Sequence, residues 1–215
     1  MIKNFLTTKI TRQELKKFIQ KHSSDKLTLD LGCSNSPYSK YFLNRVGFDI
    51  QDGKGVDIIG DAHKLPFEDE KFDVILCTEV LEHLHSPHIA ISEMKRVLKL
   101  NGKLILTTRF IFPIHDSPND FYRYTKYGLK YLFKDWRIES IQEESNTVET
   151  LFILLQRIGY QTELRVNKIT KLLLFIFVKF MPIFSFFVKK EYGDIQREKI
   201  EKNIMTSGYY LICQK

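Results

Sequence analysis

The sequence predicts an α/β fold, in which an open and mostly parallel β-sheet carries helices on both faces. Short apolar runs alternate along the chain with segments of helical periodicity, which is the pattern of βαβ units. The apolar runs are continuous rather than alternating, as expected of strands buried on both faces, and FDVILCT at 72–78 is the clearest of them. The 215 residues suit one domain, and the apolar content of 43% excludes a disordered chain.

The helices are predicted from their start and stop signals. Thr11, with Glu14 three residues later, has the spacing of a capping box, and Pro87 suits a first helical turn. The Asn101-Gly102 pair is a typical helix stop. These signals and the helical periodicity predict helices over 11–22, 37–45, 86–100 and 125–133.

Seven strands are expected between and after these helices. In sheets of this type the strands are short apolar runs, and residues typical of turns lie on either side of each run. On that basis the strands are placed at 27–31, 46–50, 56–60, 72–78, 103–108, 136–142 and 208–213.

Residues 146–206 interrupt this pattern before the last strand. They are expected to form a helical insertion or cap within a single domain of residues 1–215. Within them, 14 of the 17 residues at 172–188 are apolar, and Lys179 and Pro182 interrupt the stretch. Because a spanning helix needs about 20 apolar residues, we expect no transmembrane span, and we expect Pro182 to divide the stretch into two short helices.

The net charge of +7 is concentrated in two basic segments. Residues 1–26 form a basic N-terminal helix region, 164–190 hold six basic and no acidic residues, and the rest of the chain is mildly acidic. Because the second segment is also the most apolar, its charge favours peripheral contact of 168–190 with a membrane or a lipid-linked substrate over nucleic acid. A cap over a substrate cleft and a homodimer interface are the alternatives.

Three scattered cysteines, Cys33, Cys77 and Cys213, exclude a disulfide framework and offer no CxxC zinc motif. The opening segment Met1–Thr8 is too short and too polar for a signal peptide. A reduced, cytoplasmic location is therefore expected, with membrane association as a further option.

Three successive predicted strands end in residues that suit a nucleoside. A glycine turn, Asp30-Leu31-Gly32-Cys33-Ser34, follows the first strand and lets the backbone approach a ligand. Asp49 ends the second strand, where a carboxylate accepts hydrogen bonds from ribose hydroxyls. Asp61-Ala62 follows the third strand and is placed to read an adenine edge. Since ligands bind outside the carboxyl ends of the strands, the three predict one nucleoside pocket with no place for a pyrophosphate.

These residues lie in a longer stretch that resembles a known family. LTLDLGCSNSPYSKYF, VGFDI, VDIIGDAHKLPFEDEKFDVILCTEVLEHL and AISEMKRVLKLNGKLILTT are similar to the type 11 branch of the class I S-adenosylmethionine-dependent methyltransferases. The later run FIFPIHDSPNDFYRYTKYGLKYLF resembles a sub-branch found among enzymes of cell-surface polysaccharide biosynthesis. The resemblance covers about residues 27–133 and implies a Rossmann-like, seven-stranded class I methyltransferase fold with S-adenosyl-L-methionine as cofactor.

The resemblance also implies roles for individual residues. Asp30 and Gly32 would hold the methionine part of the cofactor, Asp49 its ribose, and Asp61 with Ala62 its adenine. The implied cofactor-binding set is Asp30, Gly32, Cys33, Ser34, Asp49, Ile50, Asp61, Ala62, Thr78 and Glu79. The sequence departs from the family at Ser34, where glycine is usual and a Cβ crowds the cofactor. It departs again at Arg109, which either adds a cation to the substrate pocket or lies at the surface.

Methyl transfer needs an aligned nucleophile, and a hydroxyl acceptor also gains from a general base near neutral pH. Histidine is the natural candidate, and His83 and His115 both lie just past strand ends. The predicted catalytic residues are His115, as base or substrate ligand, His83 and Arg123. The predicted substrate-binding residues are Arg109, Asp116, Asp120, Tyr122 and Tyr124, and no metal ligand is expected. The alternative is that the tyrosines pack a lid and Arg123 pairs with Asp120.

The sequence therefore predicts an enzyme that transfers a methyl group in line to a small-molecule or saccharide acceptor, most simply at a hydroxyl. A degenerate methyltransferase fold that serves as a membrane-peripheral scaffold is the alternative, and Ser34 favours it. An RNA methyltransferase is disfavoured because no RNA-binding module or Asn-Pro-Pro-Tyr-like motif is present. An NAD-dependent dehydrogenase is disfavoured by the missing third glycine of GxGxxG.

Overall fold

A computed structural model describes residues 9–165 and 167–215 of the chain. The opening segment 1–8, which was not expected to be a signal peptide, lies outside these residues. Seven strands are present: β1 (Thr28–Leu31), β2 (Arg45–Asp49), β3 (Ile58–Ile59), β4 (Phe72–Thr78), β5 (Leu98–Arg109), β6 (Arg137–Glu143) and β7 (Gly208–Gln214). Five α-helices are described: α1 (Ile10–Lys21), α2 (Pro87–Val97), α3 (Lys126–Leu132), α4 (Thr147–Gln161) and α5 (Asn167–Phe180). Short 3-10 helices cover Ser39–Tyr41, Leu81–His83 and Met181–Phe187.

All seven strands form one sheet in the order β3-β2-β1-β4-β5-β7-β6. β1 pairs in parallel with β2 on one side and with β4 on the other, and β3 and β5 extend the parallel part outward. The predicted seven-stranded, mostly parallel Rossmann-like sheet is thus confirmed. The strand order reverses at β1 and β4, and such a reversal opens a crevice at the carboxyl ends of the two strands.

The helix predicted over 86–100 is wrong at its end. α2 stops at Val97, and β5 begins at the next residue and runs through Asn101. Leu98 is fully buried and pairs with Phe72 of β4, so sheet pairing and burial outweigh the local stop signal. Asn101 adopts a left-handed φ of 59° inside the strand instead of capping the helix.

Two further segments are shorter than predicted. The segment at 37–45 holds only one 3-10 turn, because Phe42 is drawn into an extended bridge with Ser24 and a helix cannot continue through it. The strand predicted at 56–60 is reduced to β3, whose two residues pair with the end of β2 at the edge of the sheet.

The chain divides into two compact units. The larger comprises Lys16–Arg109, Ile114–Gln142 and Tyr209–Lys215 and contains nearly all of the sheet. Its core is apolar from strand to strand, and in β4 every residue from Val74 to Cys77 is buried. Cys33, Cys77 and Cys213 are free and buried.

The smaller unit comprises the described residues up to Leu15, Phe110–Pro113 and Glu143–Gly208. α4 starts at a capping box in which Asn146 and Glu149 bond each other's backbone N–H groups. α4 and α5 pack through aromatic rings, with 5.1 Å between the ring centroids of Tyr160 and Phe175. The insertion predicted before the last strand is therefore helical.

The apolar stretch of the insertion is divided in the backbone as Pro182 predicts, because α5 ends at Phe180 and a 3-10 helix follows it. Several of its large apolar side chains are exposed, and Phe186 is 87% exposed within the chain. None of the helices in the described residues is both long and apolar enough to cross a membrane.

Candidate active site

A cavity of about 410 Å³ opens at the carboxyl ends of β1 to β4, within the larger unit. Its volume falls in the range of small-molecule sites. The cavity is lined by Leu31, Gly32, Ser34, Phe48, Asp49, Ile50, Gln51, Gly60, Asp61, Ala62, His63, Glu79, Val80, His83, Leu84, His85, Asp116, Asn119 and Phe121. Seven of the ten residues of the implied cofactor-binding set are among them.

The turn after β1 is built for close approach of the backbone to a ligand. Gly32 has a φ of 70°, and a Cβ on it would lie 2.2 Å from Cγ2 of Val80, so only glycine fits. Ser34 is also left-handed, with a φ of 47°, and its side chain is exposed. This conformation costs a non-glycine residue about 1 kcal/mol. It aims the N–H of Ser34 at Oδ2 of Asp49, 2.8 Å away, so the serine helps to fix the carboxylate.

The two carboxylates predicted for the nucleoside, Asp49 and Asp61, lie at the end of β2 and just after the end of β3, and both line the cavity. Asp49 also accepts a bond from the N–H of Gln51 through Oδ1. Asp61 accepts from the N–H of His63, which lowers the pKa of Asp61, and Nδ1 of the same histidine lies 2.6 Å from its Oδ1. Both carboxyl groups therefore have oriented lone pairs at the cavity wall.

Three residues of the implied set lie away from the cavity in the described structure: Asp30, Cys33 and Thr78. The Asp30 carboxylate accepts bonds from Oγ of Ser36 and Nε of Arg45, at 2.8 Å and 3.2 Å, and burial raises its pKa. Cys33 is buried with Sγ 3.2 Å from the carbonyl of Gly55, and burial raises its pKa to about 11. Asp30 and Cys33 therefore stabilise the turn after β1 through these contacts and do not line the cavity.

Arg109 is 3% exposed, so the expectation that it lies at the surface is wrong. Its guanidinium pairs with the carboxylate of Glu79, which lines the cavity. Glu79 has a left-handed φ of 56°, and its N–H donates to the carbonyl of Thr107 on β5. The arginine thus acts behind the cavity wall and holds Glu79 in place.

The loop after β5 is organised by Asp120. Its carboxylate accepts two bonds from the guanidinium of Arg123, at 2.5 Å and 2.8 Å, and one from the N–H of His115 at 2.9 Å. The Arg123 bonds are the main cause of the lowered pKa of Asp120. The structure therefore has the Arg123–Asp120 pair that was the alternative to a substrate role.

The other loop residues predicted to bind substrate separate into two groups. Tyr124 is buried and donates from its hydroxyl to the carbonyl of Leu81, so it packs beneath the loop. Tyr122 is 41% exposed and its hydroxyl lies 3.1 Å from the carbonyl of His85. Asp116 is exposed and lines the cavity.

His83 and His115 come together although 32 residues separate them in the chain. Their ring centroids lie 4.8 Å apart at an interplanar angle of 65°. Glu82 is fully buried beside them, accepts a bond of 2.7 Å from the hydroxyl of Thr108, and has its pKa raised by burial to about 7.

Sequence reasoning missed several residues of this site. His63 was expected at the surface, but its side chain is only 12% exposed and its ring stacks on His85 at 4.1 Å, both lining the cavity. Glu82 lies inside the EVLEH run, and its position next to His83 was the available signal. No local signal marks Asn119 or Phe121, because the fold of the loop alone brings them to the cavity.

Part of the sheet matches the model of a known family. Residues 29–106 match the model of the type 11 methyltransferases, described as a methyltransferase domain. The chain has the fold of the class I S-adenosylmethionine-dependent methyltransferases. The match includes β1 to β4 and most of β5, and with them the turn and both nucleoside carboxylates.

Curated relatives match over the same part. The chain is 34% identical over 96 residues to an uncharacterised protein of Methanocaldococcus jannaschii, covering 41% of this chain and 47% of that protein. It is 35% identical over 85 residues to a demethylmenaquinone methyltransferase of Renibacterium salmoninarum, covering 35% and 36%. A ubiquinone biosynthesis O-methyltransferase of Glaesserella parasuis is 51% identical over 39 residues, covering 18% and 16%. The matches thus span less than half of these relatives' length.

Solved structures share the fold along nearly the whole chain. The [4+2]-cyclase SpnF superposes with a TM-score of 0.58 at 14% identity, covering 95% of this chain and 81% of that one. A 1,6-didemethyltoxoflavin N1-methyltransferase of Burkholderia thailandensis, bound to S-adenosylhomocysteine, gives a TM-score of 0.56 at 11% identity, covering 96% and 78%. These similarities concern the fold, which hosts more than one chemistry.

The cavity residues fit S-adenosylmethionine, a cation with an apolar adenine and a diol. Asp49 and Asp61 offer acceptors at the wall, and Leu31 with Phe48 offers apolar surface. Among the lining residues of the described chain, four are carboxylates and none is lysine or arginine. The local field therefore favours a positively charged ligand although the whole chain is basic.

We expect Asp49→Ala to weaken binding of S-adenosylmethionine about 10- to 100-fold. A carboxylate that accepts two hydroxyl hydrogen bonds contributes roughly 1.5–3 kcal/mol. Isothermal titration calorimetry with S-adenosylmethionine and S-adenosylhomocysteine measures the change. Asp52→Ala is the matched control, since Asp52 is exposed in the same loop and bonds only the N–H of Gly53 among the contacts described. Equal affinities for the two variants would remove Asp49 from the site.

Proposed function

We propose that the protein is an S-adenosylmethionine-dependent methyltransferase whose acceptor is a hydroxyl group of a small molecule or saccharide. The observation that carries the proposal is the cavity at the carboxyl ends of β1 to β4, with its glycine turn and its two oriented carboxylates, and with no lysine or arginine among its described lining residues. The family match over the strands that build this cavity supports it.

The cofactor, when bound, supplies an electrophilic sulfonium methyl group. The residues of the chain bind the ligand, orient it and exclude water. The Gly32–Ser34 turn and Asp49 hold the ligand by its polar groups and fix its position against the strand ends. Glu79, held by Arg109, keeps a carboxylate at the cavity wall. Asp116, Asn119 and Phe121 of the loop after β5 border the cavity and limit the access of water.

The acceptor side is assigned to His83, His115 and Asp116. His83 and Asp116 line the cavity, and His115 lies against His83. Polar groups of this kind suit a hydroxyl or saccharide acceptor better than an apolar one, and imidazoles assist removal of the hydroxyl proton near neutral pH. One of the similar relatives is an O-methyltransferase by name, which agrees with an oxygen acceptor.

The experiment is a methyl-transfer screen that measures release of S-adenosylhomocysteine with matched hydroxyl and amine acceptors, including free sugars and phenols. We expect turnover with hydroxyl acceptors. His115→Ala is expected to lower kcat about 100-fold or more, the size of a lost acid–base contribution, and to leave cofactor affinity unchanged. His88→Ala, an exposed histidine at the start of α2, is the control. Turnover with amines alone would reject the acceptor class.

A scaffold without methyl transfer is the alternative, and the similarity to a [4+2]-cyclase shows that this fold is compatible with other chemistry. Ser34 was its main support. In the structure the exposed serine side chain and its backbone bond to Asp49 leave the turn intact, which favours the enzyme. A protein that binds S-adenosylmethionine and releases no S-adenosylhomocysteine with any acceptor would support the scaffold.

We also propose that the helical insertion of the smaller unit contacts an anionic membrane surface. Its large exposed apolar side chains include Ile169, Leu172, Leu173, Phe177, Ile183, Phe184, Phe186, Phe187 and Val188. Lys171, Lys189 and Lys190 lie in the same segment, and the combination of apolar surface with cations suits an anionic bilayer interface. Lys168 and Lys179 belong to the same predicted basic segment, but their side chains lie outside the described part of the structure.

Liposome flotation tests this contact. The chain is expected to float with phosphatidylserine-containing vesicles and not with purely zwitterionic ones, and added salt should weaken the association. Phe186→Ser with Phe187→Ser is expected to abolish flotation, while Ile195→Ser, which removes a fully exposed isoleucine outside the patch, should have no effect. A wild-type chain that stays in the soluble fraction, or that instead forms dimers through this face, would contradict the membrane contact.

A further inference from the structure

We propose that Glu82, His83 and His115 together bind a divalent transition-metal cation at the acceptor side of the cavity. The sequence indicates no metal site, because the three residues lie in two separate segments. The 3-10 turn Leu81–His83 after β4 supplies two of them, and the loop after β5 supplies the third. In the larger unit the sheet places β4 and β5 side by side, and this brings the two segments together.

The distances between the side chains suit a small cation. One ligand atom from each residue lies within 4.8 Å of the other two. Tetrahedral coordination with bonds of about 2.1 Å places ligand atoms about 3.4 Å apart. Binding a cation would draw the three ligand atoms closer together, and the two half-buried imidazoles already lie in edge contact, with 4.8 Å between their ring centroids.

The hydrogen bonds of both rings favour metal binding through Nε2. Nδ1 of His83 lies 2.7 Å from the carbonyl oxygen of Asn119, so Nδ1 must be the protonated donor. Nδ1 of His115 lies 3.3 Å from Oδ2 of Asp120. Metal-binding histidines typically donate their second N–H to a carbonyl or carboxylate, which fixes the ring and increases its basicity. Asp120 is itself fixed by Arg123, so the second contact is rigid.

Glu82 supplies the independent observation that points to a ligand. Its side chain is fully buried, and Oε2 accepts the hydroxyl of Thr108. Oε1 is also buried and finds no hydrogen-bond donor within residues 9–165 and 167–215. A buried carboxyl oxygen without a partner costs free energy. A cation held between Oε1 and the two rings would remove that cost and hold the carboxylate in its charged form.

The donor set selects the class of metal. Two imidazoles and one carboxylate suit Zn²⁺, Co²⁺, Mn²⁺ or Fe²⁺, whereas Mg²⁺ and Ca²⁺ prefer oxygen ligands alone. Three protein ligands leave at least one coordination position open, as in catalytic rather than structural metal sites.

An open position beside the cavity gives the cation a role that rests on the proposed function. His83 lines the cavity, so a cation on its ring lies at the acceptor side. A hydroxyl oxygen bound there would become more acidic and would lose its proton to solvent water, because His83 and His115 would then hold the cation and would not act as bases. The oxygen then forms a bond to the methyl carbon, and the carbon–sulfur bond breaks with its electron pair going to sulfur. The products are the methyl ether, S-adenosylhomocysteine and the released proton.

Cobalt binding tests the site separately from methyl transfer. The full chain is titrated with CoCl₂ without S-adenosylmethionine, and the visible d–d absorption is followed. One Co²⁺ per chain is expected, which Zn²⁺ displaces and Mg²⁺ does not. His115→Ala and Glu82→Gln should each raise the apparent Kd at least about 10-fold. His88→Ala should leave it unchanged, because this histidine is exposed at the start of α2 and is not one of the three clustered residues.

His83 is only half-buried, so His83→Gln is expected to fold. The affinity of every variant for S-adenosylhomocysteine is measured as well, because retained binding shows that the cavity is intact. Loss of Co²⁺ binding with retained S-adenosylhomocysteine binding supports the site. A wild-type chain that binds no Co²⁺ or Zn²⁺ at millimolar concentration overturns it, as does binding that survives His83→Gln and His115→Ala. Cation binding in a chain that does not bind S-adenosylmethionine would keep this site and reject the proposed function.

Discussion

The parallel pairing of β1 with both β2 and β4 is the constraint on which the candidate site depends. Because Asp30 pairs with Gly47 on one side and with Leu76 on the other, the three strands end at the same edge of the sheet. The turn after β1, the carboxylate at the end of β2 and the 3-10 turn after β4 must therefore face one space. A shift of one residue in either pairing would turn these side chains to the other face.

That shared edge is made rigid by bonds from the backbone and from buried side chains. The Ser34 N–H fixes Asp49, the His63 N–H fixes Asp61, and Arg109 fixes Glu79. A second set of contacts, centred on Asp120, fixes the loop that carries His115. The carboxylates at the wall make the cavity acidic in a chain of net charge +7, and the basic and apolar residues are concentrated elsewhere.

Much of the sheet could be predicted from sequence because strands buried on both faces are continuous apolar runs. For β4 the predicted and observed bounds are identical. The errors arose where tertiary pairing outweighs local signals. Leu98 was predicted to be helical but pairs with Phe72 in the sheet. Phe42 was also predicted to be helical but forms a bridge with Ser24. Neither partner is visible in a local window of sequence.

For the site, residues that directly follow a strand were predictable, as Gly32, Asp49 and Asp61 illustrate. Residues that depend on loop folding were not. Tyr124 points to Leu81 beneath the loop, and Arg123 pairs with Asp120. Glu82 and His115 meet only because β4 and β5 are neighbours, so their proximity to His83 follows from the topology rather than from sequence spacing.

S-adenosylmethionine is expected to bind at the carboxyl edge of β1 to β4. Hydrogen–deuterium exchange, read by mass spectrometry with and without S-adenosylmethionine, tests this claim across the chain without any substitution. We expect slower exchange in peptides that cover 31–35, 48–52 and 60–63, with little change in α5. Protection confined to other segments, or no protection at saturating S-adenosylmethionine, would contradict it.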